Sequence, residues 1–192
     1  MVEIERAAEA FLAGIPSYVW DGVTLPVPIE EIADTHVGLL VRDVEDLGTA
    51  PGAPELGHGQ ALSGLLLPAV GEIWVNGEEA RHWPARRRFT IAHELGHWRL
   101  HRDSARGVFC RSGSIEPEKP QARVPLPPAE DEANVFAAAV LMPARLVQEQ
   151  YIECERDFFR LCDTFGASGA AMGRRLHAVI EPAFQGSNQQ EN

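Results

Sequence analysis

The sequence predicts an α+β protein: a small, mostly antiparallel sheet packs on two helices, and a C-terminal helical subdomain follows. Three short apolar segments, VGLLV, ALSGLLL and EIWVN, are separated by stretches rich in glycine and proline, which is the pattern of short strands. Apolar residues at helical spacing precede and follow them. With 192 residues, 45% of them apolar, the chain can bury one core without disulfides or structural metals.

The first half of the chain changes from helical spacing to strands and loops. Its predicted elements are, in order, a helix over 3–12, a short helix over 29–36, and strands over 37–41, 61–67 and 72–76. The glycines and prolines of residues 48–59 predict a loop, and residues 68–71 predict a turn. We expect the strand EIWVN to lie at the sheet edge, where it can pair with an extended peptide.

The second half is mostly helical. Its predicted elements are helices over 84–101, 129–141, 145–164 and 168–180, with a Pro-rich loop over 103–128 between the first two. Loops of that length in compact domains are usually functional or disordered.

Composition excludes several classes of protein. A net charge of −11 repels phosphate backbones, so direct binding of nucleic acid is not expected. The three cysteines are an odd number without a close-spaced pair, so they do not suggest a disulfide framework. Glu3 and Glu5 stand where a signal peptide has basic residues, and no apolar segment is long enough to cross a bilayer. These features favour a cytoplasmic protein without a membrane partner.

The segment FTIAHELGHWRLH carries the chemistry. His93 and His97 are four residues apart on the predicted helix, about 6 Å along its axis, so their imidazoles can bind one ion. Glu94 projects about 100° from His93, which directs it towards a metal-bound water instead of the metal. Gly96 weakens the helix, which indicates that another element approaches its backbone there. The alternative is two core histidines that bind backbone carbonyls.

A catalytic zinc ion needs a third protein ligand. His101 lies about 12 Å beyond His93 on a continuous helix, too far to share one ion. The next helix offers Glu130 or Glu132, which point about 200° apart, and its alanine-lined side favours Glu130. Asn134, one turn further, can hold the outer nitrogen of a ligand histidine. The alternative for Glu130 is a simple electrostatic role in the first turn of its helix.

The blocks GEIWVN, RRRFTIAHELGHWRLH and EDEANVFAAAVLMP together resemble the ImmA/IrrE-type metallopeptidases, over about residues 26–143. The resemblance implies a gluzincin-like enzyme with zinc ligands His93, His97 and Glu130 and with Glu94 as general base. It also implies cleavage of a helix-turn-helix transcriptional repressor that controls a mobile element or a stress response. The Pro-rich insert before Glu130, which contains Cys110, departs from the family pattern.

The mechanism follows from these residue types. A bound zinc ion, with Mn²⁺ possible in its place, would supply a Lewis acid that lowers the pKa of water towards about 7. Glu94 would take the proton of the attacking water and pass it to the leaving amine. The candidates for a second oxyanion stabiliser are His82, Tyr151 and the arginines at 86–88. Cys110 could cap the zinc in a latent state.

The predicted organisation is a zincin-like metallopeptidase domain over residues 1–143, a helical subdomain over 144–184 and a flexible tail over 185–192. The competing hypothesis is a non-proteolytic regulator whose C-terminal helices bind DNA or protein. In that case Arg174, Arg175 and His177 would contact phosphates.

Overall fold

The structure, a computed structural model, describes residues 2–50, 53, 60–102, 109–114 and 127–187, with only the backbone described at 60–61, 109–114 and 181–187. The protein has the predicted α+β architecture. Its helices are α1 (Val2–Ala13), α2 (Ile29–Glu31), α3 (Gly77–His82), α4 (Pro84–His101), α5 (Pro128–Leu141), α6 (Ala144–Glu153), α7 (Phe158–Phe165) and α8 (Gly169–Ser187). A π-helical turn, Ile32–Val37, continues α2. Among the described helices, none is both long and apolar enough to cross a membrane.

The sheet has four strands. They are β1 (Leu40–Val44), β2 (Gln60–Leu67), β3 (Glu72–Asn76) and β4 (Phe109–Ser114), in the spatial order β1-β3-β2-β4. β2 pairs antiparallel with both β3 and β4, and β1 pairs parallel with β3. The prediction of a small, mostly antiparallel sheet is therefore confirmed.

Two predictions about the first strands were wrong. The strand EIWVN is β3, and it lies inside the sheet because β1 pairs with the side of β3 that the β2–β3 hairpin leaves open. The first strand begins at Leu40 instead of residue 37, because the π-helical turn reaches Val37 and ends at Gly38, whose φ of 79° is left-handed. Helices commonly end at a glycine in this conformation.

The Pro-rich segment 103–128 was predicted to be a loop, but its residues 109–114 form β4. The sequence FCRSGS has little intrinsic strand preference, so pairing with β2 and not local propensity makes this segment a strand. Residues 103–108 and 115–126 lie outside the described part of the chain, as does the side chain of Cys110.

The predicted helix over 145–164 is two helices. Glu155 and Arg156 adopt left-handed φ values of 54° and 64° after the end of α6, which breaks the helical path. Asp157 then caps α7, accepting hydrogen bonds from the backbone N–H groups of Phe159 and Arg160. The short helix α3 was not predicted; its cap is Asn76, which accepts from the N–H of Glu79 at 3.0 Å. The domain boundaries at 143 and 184 stay predictions.

The helix α4 lies at the centre of the fold. One face of the sheet packs on it, and α5 packs along its other side. The main core is a continuous cluster that includes Ile73, Ile91, Leu95, Phe136 and Val140, all fully buried. A smaller cluster covers the other face of the sheet. Because both the sheet and α5 contact α4, side chains in the middle of α4 are held from two directions.

Candidate metal centre

The middle of α4 places three ionisable side chains in the interior. Pro84 occupies the first turn of the helix, where a missing N–H costs nothing, and the helix then continues without a break to His101. His93, Glu94 and His97 are each at most 1% exposed. Burying such groups is costly unless they have partners of suitable chemistry, so their surroundings indicate what the site can do.

The two histidines converge as the spacing predicts. Their rings are 4.7 Å apart at an angle of 82°, and their Nε2 atoms are 3.1 Å from each other. Glu130 reaches both rings from α5: Oε2 lies 3.2 Å from Nε2 of His93, and Oε1 lies 3.2 Å from Nε2 of His97. Ligands of a tetrahedral ion with bonds of about 2.0–2.1 Å lie about 3.4 Å apart. The three residues therefore form a compact group whose donor atoms all lie within 4.8 Å of one another.

The carboxyl group of Glu130 is ionised at neutral pH. Its partial burial raises its pKa, but hydrogen bonds to His93 and His97 and the charges of these histidines outweigh burial and lower the pKa to about 2. The side chain remains 27% exposed. The group thus presents two imidazoles and one carboxylate, and it is open on the side of Glu130.

Close packing of α5 on α4 brings Glu130 within reach. A Cβ added to Gly96 would lie 3.1 Å from both Cα and O of Ala133, so only glycine allows the two backbones to approach this closely. The expected close approach at Gly96 is therefore confirmed, and Ala133 and Ala137, both fully buried, provide the small side chains on α5.

Asn134 takes the predicted place beside His93. Its Oδ1 lies 3.1 Å from Nδ1 of His93 and can only accept a hydrogen bond, so Nδ1 carries the proton. His93 held in this way turns Nε2, its other ring nitrogen, towards Glu130 and His97. Outer partners of this kind orient ligand histidines in metal sites.

Glu94 lies under the sheet. A Cβ added to Gly64 of β2 would fall 2.3 Å from Cγ2 of Thr90 and 3.2 Å from Oε1 of Glu94, so the strand can cover this carboxylate only with glycine at position 64. The sequence analysis missed Gly64. The available signal was a glycine inside an apolar strand, which often marks a close approach by another element.

Glu132 and His101 lie beside the group without joining it. Oε2 of Glu132 is 3.5 Å from Nε2 of His101, whose ring centroid is 5.6 Å from that of His97. Glu130 and Glu132 therefore contact different histidines, in agreement with their predicted divergence on α5.

The candidate oxyanion stabilisers have other partners. Arg86 pairs with Glu79 at 2.9 Å and donates to Ser63, and Arg88 donates to the carbonyl of Val27. Further engaged side chains are Arg87 with Glu30 and Asp43, His82 with the carbonyl of Glu78, and Tyr151 under Arg156. These residues were predicted as oxyanion stabilisers from their side-chain chemistry alone, which does not reveal their contacts in the fold.

Arg175, a predicted phosphate contact in the DNA-binding hypothesis, is only 3% exposed. Its guanidinium donates to the carbonyl of Met142 and to both carboxylate oxygens of Glu5. It links α8 to α1 and is not available to a phosphate backbone.

These features define an α+β protein with a candidate metal centre in which a His-Glu-x-x-His helix is joined by a glutamate from a second helix. The chain belongs to the peptidase M78 family, because the family model described as the IrrE N-terminal-like domain matches residues 73–177. The resemblance seen in the sequence is therefore confirmed.

Two further comparisons bear on the fold. No curated protein matches the chain. A solved structure described as a Mycobacterium tuberculosis transcriptional regulator is similar, with a TM-score of 0.55 and 18% identity. That similarity covers 92% of this chain but 46% of the other, so this chain spans about half the length of that protein.

Proposed function

We propose that this protein is a cytoplasmic zinc-dependent endopeptidase that cleaves a helix-turn-helix transcriptional repressor. The observation that carries the proposal is the convergence of His93 Nε2, His97 Nε2 and the Glu130 carboxylate within 4.8 Å, with Glu94 on the same helix. Membership of a peptidase family agrees with this chemistry.

The donor set fits zinc. Two imidazole nitrogens and one carboxylate are a ligand set of catalytic zinc sites, which keep a further position open. The same donors also suit Mn²⁺. A zinc ion held by His93, His97 and Glu130 would supply a Lewis acid that activates water and polarises a peptide carbonyl. Asn134 supports the site by fixing the tautomer of His93.

Glu94 is the proposed general base. It follows His93 directly on α4 and is held in a fully buried position where β2 passes over it. In this role its carboxylate accepts the proton of the attacking water and then donates it to the amine of the leaving peptide. Burial keeps the carboxylate in one place and limits competition from bulk solvent.

The substrate is proposed to bind along β4. Within the described residues, β4 pairs on one side with β2 and its other side is an edge of the sheet. β2 is also the strand that contacts Glu94 through Gly64. An extended peptide that pairs with β4 would add one strand to the sheet. It would lie next to β4, which is itself next to β2, the strand that covers the general base. This edge replaces EIWVN as the candidate for peptide pairing.

Charge supports a repressor as the substrate. A net charge of −11 is complementary to a basic DNA-binding protein and would speed its association at low salt. The name of the similar M. tuberculosis protein, a transcriptional regulator, agrees with a role in transcription control. The burial of Arg175 weighs against the alternative of direct DNA binding by the C-terminal helices.

The direct test is Glu94→Gln, which preserves the size of the side chain. We expect zinc content and thermal unfolding to match the wild type, while cleavage falls by about 10²–10⁴-fold because the base is lost. The substrates are a panel of helix-turn-helix repressors and a mixture of fluorogenic peptides. Glu149→Gln, an exposed residue paired with Arg145, is the matched control. Undiminished cleavage by Glu94→Gln refutes the assigned base, and no cleavage of either substrate by the zinc-loaded wild type refutes the peptidase.

A further inference from the structure

The pair formed by His101 and Glu132 touches the candidate metal group through one residue, His97. His101 is the last residue of α4, and Glu132 lies two residues after Glu130 on α5. The side chain of His101 is 13% exposed and that of Glu132 is 45% exposed, so the pair sits at the rim of the site.

His97 lies between two imidazoles. The ring of His93 is 4.7 Å away on one side, and the ring of His101 is 5.6 Å away on the other, because the three histidines follow each other at four-residue spacing on α4. A rotation of the His97 ring that moved Nε2 away from His93 and Glu130 towards the end of the helix would bring it against His101. His101 therefore occupies the space into which the ring of His97 would turn.

Glu132 lies against His101 from α5. Its Oε2 lies 3.5 Å from Nε2 of His101, on the helix that also supplies Glu130. One rigid element, α5, thus contacts His97 directly through Glu130 and indirectly through Glu132 and His101. Metal sites depend on outer contacts of this kind to keep ligand rings in the geometry that the ion requires.

We infer that His101 and Glu132 are positioning residues that hold the ring of His97 for metal binding. This inference rests on the proposed function, because it assumes that His97 is a ligand. It assigns a role to the glutamate that does not join the metal group and to the histidine that is too far along α4 to do so. The competing explanation is that the pair only ties the end of α4 to α5, in which case it affects stability but not metal affinity.

The experiment measures zinc affinity by competition with a chelator, and the visible spectrum of the Co²⁺-substituted protein, on the full chain. The variants are Glu132→Ala, Glu132→Gln, which keeps the size and shape of the side chain against His101, and the control Asp131→Ala. Asp131 is an exposed neighbour on α5, so its substitution removes the same charge from the same helix turn.

We expect Glu132→Ala to weaken zinc binding about ten-fold and to shift the Co²⁺ spectrum, since the loss of outer partners has effects of this size. Glu132→Gln should restore most of the affinity, and Asp131→Ala should leave affinity and spectrum unchanged. Equal affinities for Glu132→Ala and Asp131→Ala, with a lower unfolding temperature of metal-free Glu132→Ala, would overturn the inference in favour of the purely structural tie. A Glu132→Gln variant as weak as Glu132→Ala would also overturn it, because charge instead of contact would then matter.

The same titration separates this inference from the proposed function. Wild-type protein that fails to bind zinc, or binding that survives His93→Ala, would defeat the proposed function and the inference together. Normal zinc binding that is lost in His93→Ala and unaffected in Glu132→Ala would overturn the positioning role alone.

Discussion

The two halves of α4 both carry closely spaced ionisable side chains, but their contacts differ. In the first half, Arg86, Arg87 and Arg88 each turn to partners on a different element of the fold. In the second half, His93 and His97 turn their Nε2 atoms to the same carboxylate. The arginines are dispersed among many acceptors, and the histidines converge on one point.

Arg87 illustrates the dispersed arrangement. Its Nε donates to Asp43 of β1 at 2.9 Å, and its terminal nitrogens donate to the two carboxylate oxygens of Glu30 in α2 at 2.5 and 3.0 Å. The hydrogen bonds from Arg87 lower the pKa of Glu30, and those to Glu30 raise the pKa of Arg87. Contacts of this kind fasten elements of the fold to each other.

Perturbed ionisation alone does not mark a functional site. The pKa values of both Glu30 and Glu130 are lowered by basic partners. Only Glu130 belongs to a group in which donor atoms from three residues face one another. Convergence, and not the density of charge along the helix, separates a candidate metal centre from a structural ion-pair network.

The largest expected effect comes from Glu130→Gln, which removes the carboxylate that both histidines face. A neutral amide replaces a carboxylate whose pKa is about 2 and which is therefore ionised at neutral pH. We expect zinc affinity to fall by more than about 100-fold, beyond the range of outer-contact substitutions. Zinc retained after dialysis against a chelator measures the effect. Glu132→Gln should lose far less zinc, and the reverse ranking would show that the other glutamate is the ligand.

The second expected effect comes from Gly96→Ala, which should move α4 and α5 apart. The new Cβ would meet backbone atoms of Ala133 at 3.1 Å, so α5 must shift and carry Glu130 with it. Overpacking should outweigh the gain in helix propensity, for a net loss of about 1–2 kcal/mol in the free energy of unfolding of the metal-free protein and weaker zinc binding. Urea unfolding provides the measurement.

The matched control is Gly173→Ala in α8, where an added Cβ meets nothing within 4 Å. There the same substitution should stabilise the protein by about 0.5–1 kcal/mol without changing zinc affinity. Similar behaviour of the two variants would contradict the close-approach argument for Gly96.

The smallest effect is expected from Arg87→Met, in the arginine-rich first half of α4. It should cost about 1 kcal/mol of unfolding free energy at pH 7, because Glu30 is partly exposed and the pair is screened, and zinc affinity should stay unchanged. Since the folded-state pKa of Glu30 is lowered from its ordinary value of 4.5, the stabilisation is complete above that value and is lost as pH falls through the folded-state pKa. The stability difference between wild type and variant should therefore shrink as pH falls below 4.5. A difference that persists undiminished in acid would argue against the ion pair.

Local signals in the sequence predicted each of the two helices that supply the site, because each signal lies within one helix. Proline at the first turn and the His-Glu-x-x-His spacing located α4 from Pro84 to His101, the bounds that the structure shows. Gly96 indicated the close contact, and the small residues of α5 indicated Glu130. These features depend on residues within a turn or two of one another, so periodicity alone carries them.

Features that depend on distant pairing were not predictable in this way. The strand β4 exists through hydrogen bonds to β2, and β3 lies inside the sheet because β1 joins it from far along the chain. The break after α6 uses left-handed Glu155 and Arg156, residue types that give no sign of this conformation. The partners of Arg87 and Arg88 likewise come from segments distant in sequence.

The bond between Arg175 and Glu5 bears on what can fold by itself. The segment that matches the family ends at residue 177 and starts at residue 73, so it includes the guanidinium but omits α1. A fragment cut at those limits would lose the carboxylate that pairs with this guanidinium. We therefore expect a protein trimmed to the family match to be less stable than the full chain, because it would lack the helix that packs on α5 and pairs with α8.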